Sequence, residues 1–250
     1  MLMRKHDYFI MSSIESVMSD GIMACALTER GMESYPLAEY VMQSLFLRMT
    51  GFNEQKLKCI MWELATEDYE IRYKLLNGRI SIGECSSIAD KNTVLGTLIN
   101  SIKRHGNYDL DQEKKSIING TYVRCKELFG CSVFKTWMPR EFNMFLEILP
   151  RIEESKVLII GKKSVLFKND GETSGKYSLY RAFEDLYRHR NRCAHNLLSY
   201  QDNTQDFDGL SDGEHGYYEN WFVRYYILAL IDNLFTYLYD VYRKLNIYQL

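Results

Sequence analysis

Residues 177–200 decide the fold class of this chain, and they read YSLYRAFEDLYRHRNRCAHNLLSY. Apolar side chains recur there at intervals of three or four residues, which places them on one face of an α-helix. The members of this face are Leu179, Phe183, Leu186, Tyr187, Ala194 and Leu197. Most of the chain repeats the same periodicity, so the sequence predicts an all-α protein built as a helical bundle.

Capping and stop signals divide the chain into helices. Thr50-Gly51 marks the end of one helix, and Asn53 is expected to cap the next. Ser34 and Pro36 mark an earlier helix start in the same way. The predicted helices cover roughly residues 7–17, 35–50, 53–77, 90–104, 111–129 (with a start at 109 as the alternative), 139–149, 177–200 and 217–245.

One segment departs from the helical spacing. Val157–Ile160 and Val165–Phe167 are short apolar runs separated by Gly161-Lys162-Lys163, a pattern typical of a β-hairpin. The chain of 250 residues is therefore predicted to form a single domain, a helical bundle with a small hairpin insertion. Residues 151–250 carry the motif described below, and residues 1–150 add helices to which the sequence assigns no role.

Composition excludes several classes of protein. The net charge is −2 and 46% of the residues are hydrophobic, ordinary values for a globular protein without a general attraction for polyanions. The six cysteines form no CxxC pair and the five histidines form no zinc-binding spacing, so we expect no metal and no cofactor. No apolar run reaches the roughly 18 residues of a membrane-spanning helix, and we expect a cytoplasmic protein without membrane association.

Arginines and histidines crowd residues 187–196, where Arg190-Asn191 and His195 give the spacing Arg-Asn-x-x-x-His. An arginine can hold a phosphate and a histidine can move a proton near neutral pH, so this pair suits metal-free cleavage of RNA. Asn191 and His195 share a helix face with Arg188, whereas Arg190 lies on the apolar face and needs a partner there. Because Arg190 and His195 point about 140° apart, they act together only if the helix bends or two copies of the motif face each other.

With this motif on an amphipathic helix in all-helical surroundings, the chain resembles the HEPN superfamily, over the motif and about the last 100 residues. The resemblance implies a ribonuclease in which His195 acts as general acid or base toward the ribose 2′-OH. Arg190 would stabilise charge on the phosphate, and Asn191 would orient His195 or bind phosphate. It further implies products with 2′,3′-cyclic phosphate ends and a homodimer with a composite active site.

The resemblance also implies partners. Arg188, His189 and Arg192 are expected to contact the RNA backbone. A paired antitoxin or another regulatory protein is expected as well, in stress response or phage defence. Some toxins of this family carry a tyrosine two residues after the histidine, which the antitoxin modifies. Leu197 stands there in this chain, so we do not expect control by that route.

The same residues have plainer interpretations, and these stay open. Arg190 can pair with a carboxylate of another helix, and Arg188 can pair with Glu184 or Asp185 one turn earlier. His195 can cap a helix or lie in the core. The alternative function is a non-catalytic helical binding or scaffold protein that keeps the fold. The sequence also leaves open whether Arg188 or Arg190 is the catalytic arginine.

Overall fold

The structure, a computed structural model, describes residues 5–26, 35–106, 111–169, 177–195 and 219–247. These residues form ten α-helices and one antiparallel pair of strands, which confirms the prediction of an all-α protein with a small hairpin. The helices are α1 (Asp7–Met11), α2 (Ile14–Ala24), α3 (Tyr35–Glu67), α4 (Tyr69–Leu76), α5 (Ile88–His105), α6 (Asp111–Gly130), α7 (Val133–Trp137), α8 (Pro139–Leu146), α9 (Leu179–His195) and α10 (Trp221–Ile247). The strands are β1 (Val157–Ile159) and β2 (Val165–Phe167).

Helix α10 is the centre of the fold. Every residue from Trp221 to Asp232 is buried, and most positions onward to Tyr242 are buried too. A helix that is apolar around its whole circumference has to be enclosed by other helices. Helices α3, α5 and α6 pack along it, and α8 and α9 pack against it as well. One hydrophobic core therefore joins helices of residues 1–150 to α9 and α10.

Although α10 is strongly apolar, it is not a membrane span. None of the described helices is long and apolar enough to cross a membrane. Buried polar side chains interrupt α10 at Arg224 and at Asp232.

A buried ion pair fastens the start of α2 to α10. Lys56 Nζ on α3 lies 2.6 Å from Asp232 Oδ1, and both side chains are at most 1% exposed. Lys56 also donates to the carbonyl oxygen of Ser12 at 2.6 Å, and the other oxygen of Asp232 accepts from the backbone N–H of Ile14 at 3.1 Å. Because both charges have hydrogen-bonding partners, the pair holds three helices in one arrangement.

Helix α3 corrects the predicted helix end at Thr50-Gly51. The helix continues through both residues to Glu67, so it runs for 33 residues. Asn53 is not a cap, because its buried side-chain amide donates to the carbonyl oxygen of Leu228 on α10 at 3.0 Å. This packing outweighs the local preference of a single glycine, which costs a helix about 1 kcal/mol.

Other helix boundaries also differ from their predictions. The first predicted helix is divided at Ser12-Ser13 into α1 and α2, and the hydroxyl of Ser13 accepts from the backbone N–H of Glu15. Helix α4 is separate from α3, because the carboxylate of Asp68 caps its first turn. Helix α7 has no counterpart among the predicted helices.

The hairpin lies where it was predicted. Strands β1 and β2 pair antiparallel, with Val157 opposite Phe167. The backbone N–H of Leu166 donates to Asn92 Oδ1 on α5 at 2.9 Å. This bond fixes the hairpin on the body of the bundle, in the chain segment that leads to α9.

Candidate functional site

Helix α9 carries the motif, and its buried side faces α3 and α10. The buried positions are Leu179, Ala182, Phe183, Leu186, His189 and Cys193. Ala194, which was predicted to lie on the apolar face, is exposed. The buried stripe therefore turns toward His189 and Cys193 near the end of the helix, because aromatic rings of α3 and α10 receive the imidazole there.

His189 is enclosed by these rings. It is 4% exposed, and its ring centroid lies 5.6 Å from that of Phe46 and 5.1 Å from that of Trp221. Burial lowers the pKa of His189 to about 2, with further lowering by the charges of Arg224 and Arg192, so the imidazole is neutral. This corrects the expectation that His189 lies at the surface against RNA.

His189 and Cys193 form a buried pair, with 3.3 Å between Nε2 and Sγ. A thiol that serves as a nucleophile has to ionise, and a nearby cationic imidazole usually promotes this. Here burial raises the pKa of Cys193 instead, and the imidazole stays neutral. The pair is therefore suited to packing rather than to nucleophilic chemistry.

Arg190 lies at the edge of the buried side and pairs with a carboxylate of α3. Its Nη2 lies 3.3 Å from Glu54 Oε2, and its Nη1 lies 3.3 Å from Asn191 Oδ1. The side chain of Arg190 is 25% exposed and that of Glu54 is 14% exposed. The sequence correctly predicted that Arg190 needs a charged partner. A carboxylate of another helix is the partner expected if Arg190 has a structural role.

A buried lysine stands beside this pair. Lys91 Nζ donates to the carbonyl oxygens of Cys85 at 2.5 Å and of Ser86 at 3.0 Å. Burial lowers the pKa of Lys91 to about 8, although the charge of Glu54 acts in the opposite direction. A cavity of about 10 Å³, enough for one water molecule, lies between Lys91, Glu54 and Arg190. The space is too small for a nucleotide.

The exposed side of α9 is basic. Arg188 is 71% exposed, and its guanidinium lies 3.5 Å from Asp185, one of the two partners that its spacing predicts. Arg192 is exposed as well, and no carboxylate of the described chain forms an ion pair with it. Asn191, half-buried, lies between them. Arg188 and Arg192 are thus placed where a polyanion could reach them.

Arg224 on α10 is a site residue that the motif did not indicate. It is 5% exposed, and its guanidinium carbon lies 4.9 Å from the centroid of the Trp221 ring. Its Nε has no hydrogen-bond partner, and it forms no ion pair with any residue the structure describes. The charge of Arg192 acts on Arg224 as well and lowers its pKa, after burial and against the effects of Glu219 and Glu141. The available signal was an arginine inside an otherwise apolar helix.

Two carboxyl groups act on the charge of Arg224, namely Glu219 just before α10 and, with a smaller effect, Glu141 on α8. Glu141 accepts a hydrogen bond from the backbone N–H of Trp221 at 3.2 Å. Burial raises the pKa of Glu141 to about 7, although that bond and the charge of Arg224 act in the opposite direction. Near neutral pH Glu141 is therefore only partly ionised and offsets the charge of Arg224 incompletely.

His195 is the last residue of α9, and only its backbone is described. Its side chain lies outside the described part of the structure, as does Leu197. The helix positions place His195 three residues after Arg192 and four after Asn191, so all three share one face. The relation of its imidazole to Arg190 stays a prediction.

Comparison with known protein families, with curated proteins and with solved structures finds no match to this chain. Among the described residues, no group of three or more histidine, cysteine, aspartate or glutamate side chains is arranged to hold a metal ion.

Proposed function

We propose that this protein is a metal-independent endoribonuclease of the HEPN type. The supporting observation is that neither Arg192 nor Arg224 forms an ion pair with a carboxylate within the described ranges, and that Arg192 is exposed near the end of α9, where His195 follows. The charges of Glu219 and Glu141 act on the buried Arg224 without an ion pair, and a buried arginine is stabilised further when it binds an anion. A phosphate group of RNA is an anion that two guanidinium groups bind well.

The proposed reaction needs a proton acceptor and charge stabilisation. His195 takes the proton of the ribose 2′-OH, whose oxygen attacks the adjacent phosphorus while the bond from phosphorus to the 5′ oxygen breaks. The leaving 5′ oxygen takes a proton from water, and His195 returns its proton to the solvent, so the products are a 2′,3′-cyclic phosphate and a 5′-OH. An arginine stabilises the negative charge on the phosphorane, and this is either Arg190 or the exposed Arg188.

The site is proposed to be composite, in a homodimer. Arg190 and His195 point about 140° apart on a regular helix, and α9 is a continuous helix over both residues. One copy therefore presents its His195 face to a phosphate that an arginine of the second copy contacts. Stress response or phage defence, with an antitoxin or another regulatory partner, is the proposed biological setting.

The test is an incubation of the protein with RNA in EDTA. Wild-type protein is expected to cleave, and His195→Ala is expected to lose about 100-fold or more of the rate, as for a general acid or base. Arg188→Ala and Arg190→Ala, measured side by side, show which arginine is catalytic. Cleavage that survives His195→Ala, or that never occurs with wild-type protein, contradicts the proposal.

The ion pair of Arg190 with Glu54 favours a second candidate, a non-catalytic binding or scaffold protein in which Arg190 is structural. Glu54→Gln separates the two functions. If Arg190 contacts RNA, removal of the competing carboxylate is expected to strengthen RNA binding several-fold, with a stability loss of at most about 1 kcal/mol. If Arg190 is structural, only the stability changes. Glu63→Gln, which removes a carboxylate of the same helix that pairs with His6 rather than with α9, is the matched control.

A further inference from the structure

Helix α4 presents two tyrosine rings to solvent. Tyr69 is 71% exposed and Tyr73 is 43% exposed. Their ring centroids are 6.4 Å apart and the ring planes differ by 28°, so the rings are stacked. Ile71, on the same helix, is buried and holds α4 to the core. The tyrosines therefore do not serve to anchor α4.

Two arginines extend the tyrosine pair. The guanidinium carbon of Arg72 lies 5.9 Å from the centroid of the Tyr69 ring, and that of Arg79 lies 5.5 Å from the centroid of the Tyr73 ring. Both arginines are exposed, and neither forms an ion pair with a residue in the described ranges. Cations placed over aromatic faces in this way form a mixed basic and aromatic surface.

The carboxylates nearest to this surface are already paired. Arg104 on α5 binds both Asp68, at 2.5 Å, and Glu70, at 3.0 Å. Lys74 lies 3.6 Å from the same carboxylate of Glu70. Arg72 and Arg79 thus keep their charge for a partner from outside.

We propose that Tyr69, Arg72, Tyr73 and Arg79, here called the α4 platform, bind single-stranded RNA. Bases stack on the tyrosine rings, because every base has an aromatic face, and the two arginines contact phosphates. Duplex RNA does not fit, since its bases are already stacked on one another. This inference rests on the proposed function and specifies its substrate class as single-stranded.

The α4 platform and the motif on α9 are close enough along α3 for one short RNA strand to contact both. The 13 residues from Glu54, which contacts Arg190, to Glu67 at the end of α3 span about 20 Å. A stacked strand that rises about 3.4 Å per nucleotide covers this distance in about six nucleotides. Lys58 and the exposed Trp62 follow Glu54 at four-residue intervals and so lie along one side of α3.

The test measures binding without cleavage. Fluorescence anisotropy is recorded with wild-type protein and a labelled, 2′-O-methylated single-stranded oligoribonucleotide of about 12 nucleotides, which has no 2′-OH nucleophile. Tyr69→Ala and Tyr73→Ala are each expected to weaken binding about 5- to 50-fold, whereas Tyr69→Phe and Tyr73→Phe keep the aromatic face and the affinity. Tyr40→Ala, at a tyrosine that is 70% exposed on α3, is the matched control and leaves the affinity unchanged.

Two further measurements complete the test. Arg72→Gln and Arg79→Gln are each expected to make the slope of log affinity against log salt concentration less steep, by the amount that corresponds to the loss of about one phosphate contact. A duplex of the same sequence is expected to bind more weakly than the single strand. The inference is overturned if no RNA binds, if the duplex binds as well, or if Tyr69→Ala and Tyr73→Ala behave like Tyr40→Ala. Platform-dependent binding in a protein that never cleaves RNA removes the proposed activity and leaves the binding surface.

Discussion

Lys91 lies at the start of α5 with its ammonium group against two loop carbonyl oxygens, and it forms no ion pair with a carboxylate of the described residues. The loop backbone is unusual here, since Cys85 has a φ of 58°, a value that L residues rarely adopt. The ammonium group stabilises this loop by bonding the carbonyl oxygens of Cys85 and Ser86. Burial opposes the charge, and the pKa of Lys91 falls to about 8.

This lowered pKa predicts a pH dependence of stability. Between about pH 8 and pH 10.5 the unfolded chain keeps the proton on Lys91 and the folded chain loses it, so the contribution of Lys91 to the free energy of unfolding rises with pH in this range. The full effect is up to about 3 kcal/mol. Buried cysteines and tyrosines with raised pKa values act in the opposite direction in both proteins, so urea unfolding at several pH values should show the free energy of unfolding of wild-type protein rising relative to that of Lys91→Met. Parallel curves for the two proteins would contradict the assignment.

At the scale of single residues, the sequence predicts that a buried charge requires a counter-ion better than it predicts which residue supplies it. The apolar face around Arg190 indicated that the arginine requires a counter-ion, but Glu54 is 136 positions away in the chain and no local pattern connects them. The pairing of Arg188 with Asp185 was predictable because it is local. The burial of His189 was not, because it depends on rings of α3 and α10.

At the scale of elements, Gly51 tests the continuity of α3. It is exposed in mid-helix, and a Cβ at this position meets nothing within 4 Å. Gly51→Ala is therefore expected to raise the free energy of unfolding by about 0.5–1 kcal/mol, measured by urea denaturation. If the helix instead ended at Thr50-Gly51 with the glycine in a left-handed conformation, the same change would destabilise the protein.

Gly78 provides the opposite control. Its φ is +67°, which an alanine adopts only with strain, although the space around it is open. Gly78→Ala is expected to lower the free energy of unfolding by about 1 kcal/mol. Equal effects at both glycines would contradict a helical backbone at Gly51 and a left-handed one at Gly78.

Elements whose signals are local were predicted well, and those set by packing were not. The hairpin, and helix α6 to within a residue or two, followed from apolar spacing and from the residues that flank them. The continuity of α3 depends on α10, which packs against it and receives the side chain of Asn53. Such a contact joins residues 175 positions apart, so helix-end signals read one at a time miss it.

At the scale of the whole molecule, the ion pair of Lys56 with Asp232 joins α3 to the central helix. Lys56→Met leaves Asp232 buried without its counter-ion, and a loss of about 3–5 kcal/mol is expected. Adding Asp232→Leu to Lys56→Met should recover part of that loss, because no lone charge then remains. A cycle of urea denaturation experiments measures this coupling. Additive single effects would contradict it.

An exposed ion pair supplies the control for this cycle. Lys74 and Glu70 on α4 lie 3.6 Å apart with side chains that are 42% and 65% exposed. Lys74→Met is expected to change the free energy of unfolding by at most about 0.5 kcal/mol, because water screens the pair.

The all-α class was predictable from periodicity alone. The central position of α10 was not, since every buried helix has the same apolar appearance in sequence.

The measurement that tests the proposed function most directly is the chemistry of the product ends. A 5′-labelled RNA is incubated in EDTA with wild-type protein and with His195→Ala, and the fragments are resolved before and after acid treatment and phosphatase. Attack by the 2′-OH predicts 2′,3′-cyclic phosphate ends that resist phosphatase until acid opens the ring, and none of these fragments with His195→Ala. Fragments with 3′-OH ends, or equal cleavage by both proteins, would contradict the proposed mechanism.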